Sequence, residues 1–100
     1  MEYKPIDEKT VKVFPGQEID LSNAEKFKKQ LNQLKSKGFQ HFMLDFQRVK
    51  RVDSTGLGKI LMFHKTLRDS GGGVKIVNVK NNYIYKMFDM INLKRVIEID

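Results

Sequence analysis

The sequence predicts an α/β domain in which helices pack on a sheet of short strands. Three observations carry that expectation. Apolar residues recur at helical spacing in three stretches, around Ala24–Leu34, Leu57–Leu67 and Ile84–Ile91. Short apolar runs, His41–Phe46 and Val74–Val79, separate them. Proline, glycine and asparagine punctuate the joints, and alternation this tight implies right-handed crossovers.

In chain order, Val11 and Val13 alternate with Thr10 and Lys12, the pattern of a half-exposed strand near a sheet edge. Pro15-Gly16 turns the chain, and Glu18-Ile19-Asp20 reads as a short extended piece. The first helix is expected to open at Ser22, with Glu25 three positions on completing a capping box. Ala24, Phe27, Leu31 and Leu34 share its inner face, and Gly38 stops it. A buried strand follows at His41–Phe46. The second helix then carries Leu57, Ile60, Leu61, His64 and Leu67 inward until Gly71-Gly72-Gly73 breaks it. Val74–Val79 is the clearest strand, with Val77 suggesting burial on both faces. Ile84, Met87, Phe88 and Ile91 mark a third helix, Asn92 a left-handed stop, and Arg95–Ile99 a closing strand.

A length of 100 residues supports one small domain spanning residues 1–100. With 40% apolar and 31% charged residues, the chain has the balance of a globular protein rather than a disordered tail. No apolar run approaches the roughly 18–20 residues of a membrane span. The N-terminus lacks the apolar core of a signal peptide, so a cytoplasmic location without membrane attachment is expected. The absence of cysteine removes disulfides, thiol catalysis and thiolate metal sites. A net charge of +7 raises the question of nucleic acid. Much of it lies on the first helix, as Lys26, Lys28, Lys29, Lys35 and Lys37, where a solvated face accounts for it. Aromatic residues are not interleaved with the cations as in a stacking platform, so no direct nucleic-acid contact is expected.

The most informative segment is Asp53-Ser54-Thr55-Gly56-Leu57-Gly58. It places two hydroxyls behind an acid where a strand gives way to a helix. Unpaired N–H groups and the positive end of the helix dipole favour added negative charge there. Other chemistries fit poorly. A nucleophile elbow needs glycine two residues before the serine, and Val52 stands there. The only bases for a triad would be His41, at a strand start, and His64, on an inward helix face. A phosphate-binding loop ending in Gly58-Lys59 would have Asp53 for its first glycine and Ile60 for its hydroxyl residue. Asp45 sits late in a central strand like a phosphoacceptor aspartate. The first strand, however, runs into Phe14-Pro15-Gly16 without the acidic pair that would hold magnesium. Histidines and carboxylates show no metal-ligand spacing, and no cofactor is expected. What remains is the hydroxyl pair, for which an ordinary helix cap and a functional role stand about level. Glycine in a first helical turn costs roughly 0.5–1 kcal/mol against alanine, and two of them imply another surface, or a nucleotide, close to the backbone.

Asp53-Ser54-Thr55-Gly56-Leu57-Gly58 after a short apolar strand resembles the signature of the STAS domain family, the sulfate transporter and anti-sigma factor antagonist domains. The likeness covers nearly all of the chain. Glu18-Ile19-Asp20 with Asn23-Ala24-Glu25 resembles the block before the family's first helix. Gly72 to Val77 resembles its glycine-initiated strand, and Met87-Phe88 with Leu93 its third helix and the turn after it. The resemblance implies a STAS-like α/β fold, a single-layer mixed β-sheet packed by helices, and a regulatory rather than enzymatic protein.

For the bacterial anti-sigma factor antagonists of this family, the resemblance implies phosphorylation at Ser54, with Thr55 the weaker candidate. The kinase is the partner itself, an anti-sigma factor with serine kinase activity. The unmodified antagonist binds it and frees the sigma factor, the phosphorylated form lets go, and a PP2C-type phosphatase resets the switch. Asp20 and Asp53 are implied as neighbouring recognition positions and Gly56, Leu57 and Gly58 as contact surface, on a monomer or weak dimer. Family members usually continue into another helix after the last strand, whereas this sequence ends at Asp100, so apolar surface is expected to lie open or be filled by a partner. The strong positive charge is not a family trait. Lys50 and Arg51, just ahead of Ser54, either complement an acidic partner or are simply solvated. Two alternatives stand beside this expectation: a STAS module of another signalling or transport system, without a kinase, and a small nucleotide-binding protein using the same helix N-terminus.

Overall fold

A computed structural model describes Met1–Asp100. The strands are β1 (Glu2–Pro5), β2 (Thr10–Phe14), β3 (Glu18–Ile19), β4 (His41–Asp45), β5 (Arg51–Val52), β6 (Gly73–Val77) and β7 (Glu98–Ile99). The helices are α1 (Ala24–Ser36), α2 (Ser54–Arg68) and α3 (Asn82–Met90), followed by a 3-10 turn at Leu93–Arg95. None of them is long and apolar enough to cross a membrane.

Five strands form one mixed sheet in the order β1-β2-β4-β6-β7, antiparallel between β1 and β2 and parallel elsewhere. This is the mixed sheet the family resemblance implies. Register aligns Val11 with Phe42 and Val74, and Val13 with Leu44 and Ile76. All six are buried. The intervening row of Lys12, Met43 and Lys75 is only half-buried, so the sheet has one core face and one open face. β2, β4, β6 and β7 add in one direction, and right-handed crossovers therefore lay the connecting helices over the same face. Phe63 of α2 meets Phe42 of β4 edge-on, with ring centroids 4.8 Å apart.

Five sequence expectations need correction. β1 lies outside the expected strands. All four of its residues are exposed, so it has no apolar alternation, and its place rests on main-chain pairing with β2. The Ser22–Glu25 capping box does not form. Asn23 occupies the cap position, but its side chain closes the preceding turn instead, accepting from the Asp20 N–H at 2.9 Å and donating to the Glu18 carbonyl at 2.7 Å. β6 ends at Val77 because Asn78, at φ 58°, turns left-handed and leaves the ladder. Ile91 is exposed, and the inner face of α3 is Ile84 and Phe88. The closing strand shrinks to Glu98–Ile99. Asn92 is left-handed as expected, but the chain then winds helically, with the Ile97 N–H on the Leu93 carbonyl at 3.0 Å. That winding buries Leu93 and Ile97 and leaves Val96 outside.

Away from the main sheet, β3 and β5 pair in parallel, Glu18 with Arg51 and Ile19 with Val52. This two-residue clamp draws the turn after β3 and the start of α2 together.

Candidate functional site

The β3–β5 clamp ends at Asp20 on one side and Asp53 on the other. Asp53 is the N-cap of α2, with an extended backbone. Its Oδ1 accepts the Gly56 N–H at 2.8 Å, and its Oδ2 accepts the Leu21 N–H at 2.9 Å across a gap of 32 residues in sequence. One carboxylate thus caps the helix and braces the neighbouring turn. Both of its oxygens are committed.

Ser54 is the first residue of α2 and is exposed. With Asp53 as the cap, no capping role is left to the Ser54 hydroxyl. Among the first four N–H groups of the helix, those of Ser54 and Thr55 have no intrahelical acceptor. A negative group on the Ser54 oxygen would lie at the positive end of the helix dipole. Thr55 is half-buried and the less accessible hydroxyl.

The two glycines differ. Gly56 is buried, and a methyl group there would collide with the Ile19 carbonyl. The surface that requires a glycine at 56 is the protein's own β3, which corrects its expected place in a partner-facing surface. At Gly58 a methyl group would meet nothing within 4 Å, so this position remains open to an incoming surface. Leu57 is half-buried and packs partly on the core.

Asp20 takes the Ser22 hydroxyl at 2.6 Å and the Ser22 N–H at 3.0 Å on Oδ1. The Ser22 hydroxyl above all holds its carboxyl below the usual aspartate range, and the Arg51 guanidinium adds to this. Arg51 lies 2.8 Å from Glu18 and 3.6 Å from Asp20, so this cation is neutralised within the site, whereas Lys50 is exposed. Asp20, Leu21, Ser22, Arg51 and Asp53 line one shallow depression. The fold therefore brings together Asp20, Asp53 and Ser54 as one patch.

Sequence reasoning missed Leu21. It is 75% exposed, an apolar side chain in an otherwise polar rim. Its signal is a leucine outside both the strand alternation before it and the helical spacing after it. Other candidates weighed on sequence are engaged structurally. Asp45 is buried, accepting from the Gln47 N–H and the Asn78 amide, each at 2.9 Å, with Lys12 at 3.7 Å. His64 accepts the Val74 N–H on Nδ1 at 2.9 Å and ties α2 to β6.

The STAS domain family model matches residues 4–100. A candidate anti-sigma factor antagonist of Thermotoga maritima is 30% identical over 98 residues, covering 97% of this chain and 85% of that protein. The anti-sigma-B factor antagonist of Bacillus subtilis is 30% identical over 93 residues, covering 93% of this chain and 84% of that one. Among solved structures, the crystal structure of a candidate anti-sigma factor antagonist from Thermotoga maritima superposes with a TM-score of 0.88 at 30% identity, covering 98% of this chain and 83% of its own. The anti-sigma factor antagonist SpoIIAA in its unphosphorylated form superposes at 0.75 and 17% identity, over 99% and 86% of the two chains, a likeness of fold. With the family model matched over nearly its whole length and the Bacillus subtilis anti-sigma-B factor antagonist among its relatives, this chain belongs to the STAS domain family.

Proposed function

We propose that the protein is an anti-sigma factor antagonist whose partner is an anti-sigma factor with serine kinase activity, and that phosphorylation of Ser54 switches it off. The observation that carries this is the division of labour at the start of α2. Asp53 alone caps the helix and holds Leu21, while the exposed Ser54 hydroxyl beside it has no structural duty. Sequence chemistry leaves a cap and a phosphosite level, and the geometry favours the second for Ser54.

A phosphoryl group on Ser54 adds about −1.5 to −2 charges directly after Asp53, which lines the Asp20 depression. Within the free protein the open N–H groups of Ser54 and Thr55 offset part of that charge. A partner surface closed over Ser54, Gly58 and Leu21 would have to bury it, which is far more costly. The modification therefore weakens the complex and spares the fold. A PP2C-type phosphatase would restore the starting state, and all of this would take place in the cytoplasm.

Incubation with an anti-sigma factor kinase and ATP, followed by peptide mass mapping, should place one phosphoryl group on Ser54. Modification confined to Thr55, or none, would overturn the proposal. Ser54→Asp should weaken partner binding by at least about tenfold. The nucleotide-binding alternative is disfavoured because Ile60, fully buried in the core, stands where a phosphate-binding loop carries its hydroxyl residue.

A further inference from the structure

Seven of the nineteen cations and one of the twelve acids lie on α1 and α2, so these two helices hold six of the chain's seven net positive charges. A groove runs between them, lined by Lys28 and Asn32 from α1 and by Lys59, Met62, Phe63 and Thr66 from α2. Phe63 is its buried floor, while Met62 is 63% exposed. Thr55, Lys59, Met62 and Thr66 fall at helical spacing on one stripe of α2, which starts beside Ser54. The Lys59 end of the groove thus lies about one helical turn from Thr55, the neighbour of Ser54. At that end Glu25 bridges to Lys59 at 2.7 Å, and Lys59 first, then Lys28 and Lys29, hold its carboxyl below the usual glutamate range. Glu25 is exposed, a lone carboxylate occupying a cationic slot that an incoming one could take over.

We infer that this groove seats an acidic segment of the anti-sigma factor partner, with carboxylates on Lys28 and Lys59 and an aliphatic side chain on Met62. The inference rests on the proposal that the partner covers Ser54, and it adds the chemistry of that partner's edge. A nucleic-acid strand fits less well. Its phosphates would use the lysines, but the groove exposes no aromatic ring for a base, and Met62 would stay unmatched. Methionine adapts to varied apolar partners, whereas exposed ion pairs alone hold weakly. Specificity therefore belongs to the combination of lysine and methionine.

The test is titration of the ¹⁵N-labelled full chain with a short peptide of repeated Glu-Glu-Leu, with its Glu-Glu-Ser counterpart, and with a short DNA duplex. The leucine peptide should shift the amides of Lys28, Asn32, Lys59, Met62 and Thr66 as a group and bind at least about fivefold more tightly than the serine peptide. Lys28→Glu should weaken the leucine peptide by about tenfold while amide shifts outside α1 and α2 stay unchanged. Equal binding of the two peptides, shifts scattered over all the lysines, or tighter binding of the duplex at this groove would overturn the inference. No kinase takes part in the titration, so its failure is distinct from a failure to find phosphate on Ser54.

Discussion

Three neighbouring positions, Asp53, Ser54 and Gly56, carry different physical duties. Replacing Asp53 by alanine removes the acceptor for the Gly56 N–H and the brace on Leu21 together. Loss of an N-cap costs roughly 0.5–2 kcal/mol, and a second unsatisfied N–H adds to it, so urea unfolding should show about 2 kcal/mol lost. Asp53→Asn keeps one acceptor oxygen and turns an amide donor toward the other N–H, so its loss should be intermediate. The glycines predict opposite signs. Gly56→Ala drives a methyl group into the Ile19 carbonyl and should destabilise by more than about 2 kcal/mol despite alanine's better helix propensity. Gly58→Ala meets open space and should stabilise by about 0.5–1 kcal/mol in the same assay. If Gly58 faces the partner, that variant is more stable yet binds more weakly.

Among the elements, α2 does the most. Its N-terminus presents Ser54, its middle buries Ile60 and Phe63, and its His64 accepts a main-chain N–H from β6. That acceptor requires Nδ1 to be unprotonated. Burial first, and Arg68 second, lower the His64 pKa from its ordinary value of 6.5, against a smaller raising contribution from the Val96 main chain. The unfolded chain therefore binds the proton at higher pH than the native one. The His64 contribution is fully present above pH 6.5 and is lost as pH falls through the lower native value. Thermal unfolding between about pH 8 and 5 should show this slope, and His64→Asn, which supplies a non-titrating acceptor, should flatten it. The carboxyls of Asp7, Asp20 and Glu25 are lowered from 3.8, 3.8 and 4.5, so their contributions disappear only in more acid solution and do not overlap that window.

For the whole molecule, regulation requires that a change at Ser54 leave the core untouched. Ser54 lies outside the 20-residue core cluster that joins the sheet to the helices. Ser54→Asp should therefore shift folding stability by no more than about 0.5 kcal/mol while it weakens partner binding. Phe42→Ala, which empties the position against Phe63, should cost roughly 3–5 kcal/mol in chemical denaturation. A large loss of stability in Ser54→Asp would instead place the hydroxyl among the structural contacts.

Period and punctuation in the sequence determined the three helices, the central strands with Val11, Phe42 and Val74 inward, and the Asp53–Gly58 turn as the focal point. These are local properties, set by side-chain spacing and backbone preference within a dozen residues. Tertiary structure decided what depends on distant neighbours. β1 shows no pattern of its own and exists through its partner strand. Asp53 caps α2 with one oxygen, and only the fold brings the Leu21 N–H, 32 residues away, to the other. Gly56 is required by the Ile19 carbonyl, and the cationic groove forms only when α1 and α2 lie side by side. Hydrogen bonds and steric contacts between segments far apart in sequence leave no periodic trace, so only the folded chain reveals them.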